Sequence, residues 1–425
     1  MQRMYRKTTS PERYMFFFGN RYPICFSFMV RVKGRLTEDM LREALQILKR
    51  RHPLLAARIV MNEKKEQFIT DQGTADFKIQ RFPAGTDPWE TRVLTLLGRP
   101  FPLETGPFVR FGLRERNGET EVYAVFHHST ADGVAGITLF RELFMVLSGD
   151  TPTVPVSDRG AYLFDALTPE VEAALSKLEK PSWVNDKPEI KGKAAIPPFA
   201  APDFKIHTME LRRETVNGLL AYTKRAGITV NALLGAVFLR SYADVFGDQT
   251  GYARTIQLPV DCRKYIKEEH KNAVGAFNSI IKMPIDCAPQ RSISEIAAEI
   301  AEKLKENTSN FRDIQDFWHF NGFFDDVSDP EAMMCEFKPD PLDYDFSLSN
   351  LGRIDLAPRY GEWEIRSIFG PTFSAVHGEQ VIGLNTHDGI MRFTYIYDKA
   401  LFPEQTGAEI WESAFSRLRE LLAGA

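Results

Sequence analysis

The sequence predicts a mixed α/β fold built in two parts. Three features point there. Segments with helical apolar spacing alternate with β-branched and aromatic runs over residues 24–147, a polar stretch rich in proline follows, and the alternation resumes from residue 205 onwards. A chain of 425 residues accommodates two or three ordinary domains, or two large halves of one enzyme.

The elements follow in order. Residues 24–32 read as a strand. Thr37 suits the N-cap of the next helix, Glu38 and Asp39 favour its positive end, and Leu41, Ala44, Leu45 and Leu48 form its apolar stripe up to Pro53. Short strands are predicted at 57–60 and 66–70, a helix near 88–97, and a buried strand at 122–126. A helix opens after Gly133, with Ile137, Phe140, Phe144 and Leu147 on one face and Gly149 beyond its end.

Pro152, Pro155, Pro181, Pro188, Pro197, Pro198 and Pro202 then punctuate a crossover holding one helix, 169–179. Beyond it come a strand at 205–211 and an amphipathic helix at 214–226. A helix from Thr229 follows, and its Val230, Leu233, Leu234, Val237 and Phe238 make it apolar nearly all round and therefore deeply buried. Strands at 252–260, 279–285, 344–349, 380–386 and 391–397, with helices at 293–305 and 403–422, complete the chain.

Composition narrows the function. Hydrophobic residues make up 44% and charged residues 26%, as in a soluble globular protein, and the net charge is -4. The clusters Lys49-Arg50-Arg51 and Lys64-Lys65 are too short for a nucleic-acid footprint and read as solvated faces. Cys25, Cys262, Cys287 and Cys335 are scattered without a CxxC or a histidine at ligand spacing, so reduced, mostly buried thiols and no metal site are expected. Residues 15–18 are too short an apolar run for a signal-peptide core, and no run approaches a membrane span. The expectation is a cytoplasmic protein with no nucleic-acid partner and no integral membrane segment.

One stretch concentrates chemistry: His127-His128-Ser129-Thr130-Ala131-Asp132-Gly133, at the junction of the buried strand and the following helix. Neighbouring side chains on extended backbone point to opposite faces, so only one of the two histidines can face a given cleft. Asp132 is placed to brace the turn, and Gly133 permits a close approach that a Cβ would block. The pattern suits a general base held by its own loop, against the plainer reading of a packed structural histidine.

The stretch fits an HHxxxDG motif, and with it the chain resembles the chloramphenicol acetyltransferase-like superfamily. That group includes condensation domains of nonribosomal peptide synthetases, polyketide-associated acyltransferases and alcohol acyltransferases. The similarity extends to 34–58 with Arg51-His52-Pro53-Leu54-Leu55, to the PFPLETGPFVR segment at 100–110, and to the GITVNALL segment at 227–234. It continues through Val260-Asp261-Cys262-Arg263, Val274-Gly275-Ala276-Phe277-Asn278-Ser279 and Ser349-Asn350-Leu351-Gly352. Ala276 and Ser279 depart from the family's usual pattern, which counts against a standard peptide-synthetase condensation domain.

The resemblance implies two similar α/β sandwich halves around a central tunnel. The first, 1–165, would carry the motif; 166–204 would be the Pro-rich crossover and 205–425 the second half. It implies His128 as general base, His127 packed behind it, Asp132 paired with an arginine for which Arg263 is the candidate, and Gly133 supporting the loop. Asn278, Ser347, Ser349 and Asn350 are candidate substrate or oxyanion contacts, and the amides after Gly133 are offered to the thioester oxygen. His52 reads as a helix exit, while His377 and His387 carry no motif.

The implied activity is that of a free-standing acyltransferase moving groups other than aminoacyl. Its donor is an acyl-CoA or acyl-carrier-protein thioester and its acceptor a small-molecule alcohol, joined in a ternary complex with no bound cofactor and no covalent intermediate. The Ser349–Gly352 segment tilts this towards esters, and no GxSxG elbow offers a serine nucleophile. Two alternatives stand beside it. One is amide formation between an amine acceptor and a donor on a carrier protein, and the other is a catalytically silent binding module of the same fold.

Overall fold

The computed structural model describes residues 4–19, 21–63, 66–154, 156, 160–185, 201–325, 327, 330–336, 343–374 and 378–423. Lys64, Lys65, Pro155, Pro188, Pro197, Pro198 and His377 of the preceding reading lie outside them.

Each of two lobes is built on a six-stranded sheet. The first runs, in spatial order, Arg359–Tyr360, Trp363–Phe373, Cys25–Lys33, Glu119–His127, Val109–Arg116 and Ile79–Arg81. The second runs Asn278–Asp286, Ala253–Asp261, Phe346–Arg353, Val381–His387, Ile390–Asp398 and Phe204–Leu211. Residues 359–373 thus cross from the second part of the chain into the first sheet, where Trp363–Phe373 pairs antiparallel with Cys25–Lys33 and its own start pairs with Arg359–Tyr360.

Period-two alternation decides what each face meets. Phe26, Phe28, Val30 and Val32 pack with Val122, Ala124 and Phe126 beneath the helices Glu38–Arg51 and Gly133–Leu147. Burying one such phenylalanine contributes about 1.5–3 kcal/mol. On the other face Cys25, Met29, Tyr123 and Val125 meet the helix Trp89–Leu97, and also Phe204, Ile206, Val381 and Ile396 of the second sheet. One apolar seam therefore joins the lobes. In the second lobe the helix Val230–Thr250 buries Leu233, Leu234, Val237, Phe238 and Leu239, with Ile293–Asn307 and Glu404–Ala423 packed against it.

Local signals place these elements. The Thr37 hydroxyl accepts from the Met40 amide at 3.3 Å, as its position predicts, and the Thr229 hydroxyl from the Ala232 amide at 3.1 Å, so that Thr229 caps a helix that begins at Val230. The helix expected at 169–179 is shorter, Pro169–Leu175.

Elements that were not foreseen include the strands Val109–Arg116, Ile79–Arg81 and Trp363–Phe373 and the helices Ser10–Gly19 and Arg312–Phe320. Of these, Trp363–Phe373 carries the β formers Trp363, Ile365, Ile368, Phe369, Thr372 and Phe373, but Gly370 and Pro371 interrupt its run, and pairing with a central neighbour holds it together across them. The helix Ser10–Gly19 is anchored by Glu12, fully buried and gripped by Arg6 at 2.7 and 2.8 Å, while Arg6 Nε donates to the Gly160 carbonyl at 2.8 Å. No single helix among the described residues is long and apolar enough to cross a membrane.

Candidate active site

Between the lobes lies a cavity of about 730 Å³ whose wall carries His128, Asn278 and Ser347 together with residues of both sheets. The strand Glu119–His127 delivers the two histidines in opposite directions. His127 is buried among Phe16, Phe101 and Phe108, with ring centroids 5.3, 5.5 and 5.6 Å away. Its Nδ1 accepts from the Ser129 amide at 3.3 Å and lies 2.7 Å from the Ser129 hydroxyl. A backbone amide can only donate, so the ring proton sits on Nε2. There it faces Gly19, where a Cβ would come within 2.7 Å of that nitrogen. Burial, then the neighbouring His128 and Arg110, push the His127 pKa down to about 3.

This gives a pH signature. An unfolded histidine titrates near the reference value of about 6.5, so between there and about 3 the unfolded chain binds the extra proton. Stability contributed by neutral His127 is complete above the upper value and drains away as pH falls through that window, by up to about 1.4 kcal/mol per pH unit. Urea midpoints measured across it should fall more steeply for wild type than for His127→Phe. Parallel profiles would remove the effect.

His128 is half-buried, its amide donating to the Ile24 carbonyl at 3.0 Å. Its ring stacks on Phe373 at 5.6 Å and meets Phe26 edge-on at 5.2 Å. Nδ1 is buried without a well-aligned partner, which leaves Nε2 as the ring nitrogen that faces the cavity. Burial lowers this pKa too, opposed by the ring's own backbone carbonyl and by the Asp132 carboxylate. The imidazole is therefore neutral, and able to accept a proton, at neutral pH.

Asp132 holds four groups at once. Arg263 Nη1 and Nη2 donate to its two oxygens at 2.9 and 3.0 Å, the Ala135 amide to Oδ1 at 2.8 Å and the Phe277 amide to Oδ2 at 2.8 Å. Its own amide donates to the Gly275 carbonyl at 3.2 Å. His52 Nδ1 accepts from the Val274 amide at 3.2 Å, and its Nε2 meets Glu142 at 2.8 Å. The segment leading to Asn278 is thus held by Asp132 of the motif loop on one side and by His52, at the end of the helix Glu38–Arg51, on the other. Sequence reasoning gave His52 only a helix-exit role, although Arg51-His52-Pro53 was the available signal.

Other candidates separate. Gly133 opens its helix against Leu351, whose Cδ2 would lie 2.8 Å from an added Cβ, and it does not line the cavity. The Ala135 amide beyond it is taken by Asp132 and so is not offered to a thioester oxygen. Ser347 lines the cavity and accepts from Gln257 at 3.3 Å. Ser349 is buried off the cavity wall, and Asn350 Oδ1 accepts from the Gly352 amide at 2.8 Å, closing its own turn. His387 is buried in the second sheet, away from the wall. Tyr14, Phe18, Trp183, Phe320, Tyr344 and Glu379 line the cavity without having been singled out. Among the described residues, no group of three or more His, Cys, Asp or Glu side chains could hold a metal ion.

The condensation-domain family model matches residues 17–316. The chain belongs to that family. It is 26% identical to bacitracin synthase 3 of Bacillus licheniformis over 295 residues, which is 66% of this chain and 4% of the synthase. It is 25% identical to a linear gramicidin synthase of Brevibacillus parabrevis over 299 residues, 64% of this chain and 6% of that protein. The chain therefore spans a small fraction of these relatives. Among solved structures, the first condensation domain of the CDA synthetase superposes with a TM-score of 0.70 at 14% identity, covering 99% of this chain and 96% of that one. The epimerization domain from the third module of tyrocidine synthetase B gives 0.65 at 17% identity, covering 100% and 98%.

These findings correct two expectations. Transfer from acyl-CoA to an alcohol, and an enzyme for groups other than aminoacyl, are overturned by the family match and by the peptide-synthetase relatives. The physical reason is visible at Ser349–Gly352. The segment that tilted the reading towards esters folds into a self-bonded turn away from the cavity, so it says nothing about the acceptor. The departures at Ala276 and Ser279 likewise do not remove the chain from the condensation-domain family.

Proposed function

We propose that this chain forms an amide bond between a donor held as a thioester on a carrier protein and an amine acceptor. The observation that carries the reading is the neutral His128 ring in the wall of a cavity shared by both lobes. The amine attacks the thioester carbonyl, the C–N bond forms and the C–S bond breaks. His128 Nε2 takes the proton the amine loses and returns it to the departing thiolate. Asp132 and Arg263 hold the motif loop against the segment before Asn278, while Asn278 and Ser347 offer polar contacts along the cavity. His127 and Gly133 act by packing. The Pro-rich 166–204 segment serves as the crossover between the parts.

A thiol-release assay tests this, with aminoacyl thioesters as donors and separate panels of amines and alcohols as acceptors. Amide product with amines, and none with alcohols, is the expected result. Ester product alone would overturn the reading, as would no product from any donor and acceptor pair.

A further inference from the structure

We infer that the Tyr162 hydroxyl donates a hydrogen bond to the thioester carbonyl oxygen as negative charge builds on it. This deepens the proposed amide chemistry and rests on it for the reacting group. Tyr162 is 2% exposed and lines the cavity. Its hydroxyl hydrogen-bonds to no described residue, yet it is not sealed in with the buried polar atoms that lack a partner, so it opens into that cavity. A phenol packed this closely usually finds its partner within the protein. Here the partner is left to come from what enters the cavity.

The surroundings of Tyr162 fix its place. It packs with Cys262, Ala276 and Phe277 in one cluster, and its ring lies 6.0 Å from that of Phe164. The Phe277 carbonyl accepts from the Cys262 amide at 2.8 Å, and the Phe277 amide donates to Asp132, four residues beyond His128. Tyr162 therefore belongs to the packed unit that the motif loop grips, and Ala276 and Asn278 of that unit stand on the cavity wall with it. From behind, Arg6 holds the Gly160 carbonyl at 2.8 Å, and Asp165 accepts from the Tyr162 amide at 3.3 Å. Burial first, and then the Glu12 carboxylate, raise the pKa of the phenol above its ordinary value of 10.0, so it keeps its proton and stays a donor.

The chemistry needs such a donor. When the amine attacks, an electron pair of the carbonyl moves onto oxygen, and it returns to the C–O bond when the thiolate leaves. Donors aimed at that oxygen usually make the largest single contribution to acyl transfer. Of the motif residues only His128 lines the cavity, and the Ala135 amide is bound to Asp132. On the same wall Ser374 gives its hydroxyl proton to the Cys25 carbonyl, and Tyr344 gives its own to Glu379. Lys282 is held by Asp343 at 2.6 and 2.7 Å. The Tyr162 proton is uncommitted. It stays on the phenol throughout, and only its hydrogen bond strengthens.

Tyr162→Phe removes the hydroxyl and keeps the ring. With an aminoacyl thioester of N-acetylcysteamine and the amine that wild type uses best, kcat should fall about 10²-fold or more while KM stays within about twofold. The thermal midpoint should not fall, because no hydrogen bond within the protein is lost. An unchanged kcat overturns the inference, as does a loss carried by KM alone or matched by a lower thermal midpoint. Calorimetry needs no turnover. It compares the phosphonamidate of 2-phenylethylphosphonic acid with benzylamine, which carries its negative oxygens on a tetrahedral centre, with planar N-benzylhydrocinnamamide. Wild type should bind the phosphonamidate about tenfold tighter or more, and Y162F should bind the two alike. Absent turnover with this binding difference intact, the amide chemistry fails and the oxyanion donor stands. Amide product formed equally fast by wild type and Y162F keeps the amide chemistry and removes the donor. Equal binding of the two compounds to wild type, or a preference that survives in Y162F, sinks the donor as well.

Discussion

His128→Ala is expected to slow amide formation about 10²- to 10⁴-fold while leaving the folded protein intact. The ring's contacts are those with Phe26 and Phe373, and the one backbone bond at this residue, to the Ile24 carbonyl, survives the substitution. Thiol release under saturating donor and amine measures the loss, and circular dichroism the fold. A variant of normal rate would end the assignment of the base. The wild-type pH profile adds a second reading. Because the pKa of His128 is lowered from its ordinary value of 6.5, the acid limb of kcat/KM should lie below that value. A limb above it would mean that another group carries the proton.

Asp132→Ala is expected to cost about 3–5 kcal/mol of stability, because Arg263 is left buried with its main partner gone. A further contribution of about 1 kcal/mol goes with the helix cap on Ala135. The Phe277 amide loses its acceptor as well, so the segment before Asn278 should loosen and activity fall with stability. Removing both Asp132 and Arg263 should cost clearly less than the two single losses added together, since neither charge is then stranded. Denaturant unfolding of the two single variants and the double variant measures this. A single-variant loss within about 1 kcal/mol of wild type would show that the pair is not what holds the loop.

Legibility differed by element for physical reasons. The helix Val230–Thr250 could be read from sequence because an apolar circumference has no other stable use in a water-soluble fold. The strand Trp363–Phe373 was not, because its partner lies more than three hundred residues earlier and Gly370-Pro371 reads as a break in its apolar run. At the site, His128 stood out through a local motif. Glu379 and Tyr344 belong to no local pattern and meet only through the fold. Ser347 and Ser349 are two apart on one strand and share a face, yet only Ser347 reaches the cavity. Residue type and spacing carry no information on where a strand runs past the end of a cleft.

The strand that crosses into the first sheet ends at Phe373, and Phe373 is the ring stacked on His128. A shift of this borrowed strand would reach the imidazole through Phe373 directly and through Phe26, which touches both rings. Grafting one body onto a foreign partner would strip the first of its inserted ribbon, expose the bare rim of Cys25–Lys33 to aggregation, and unseat the ring.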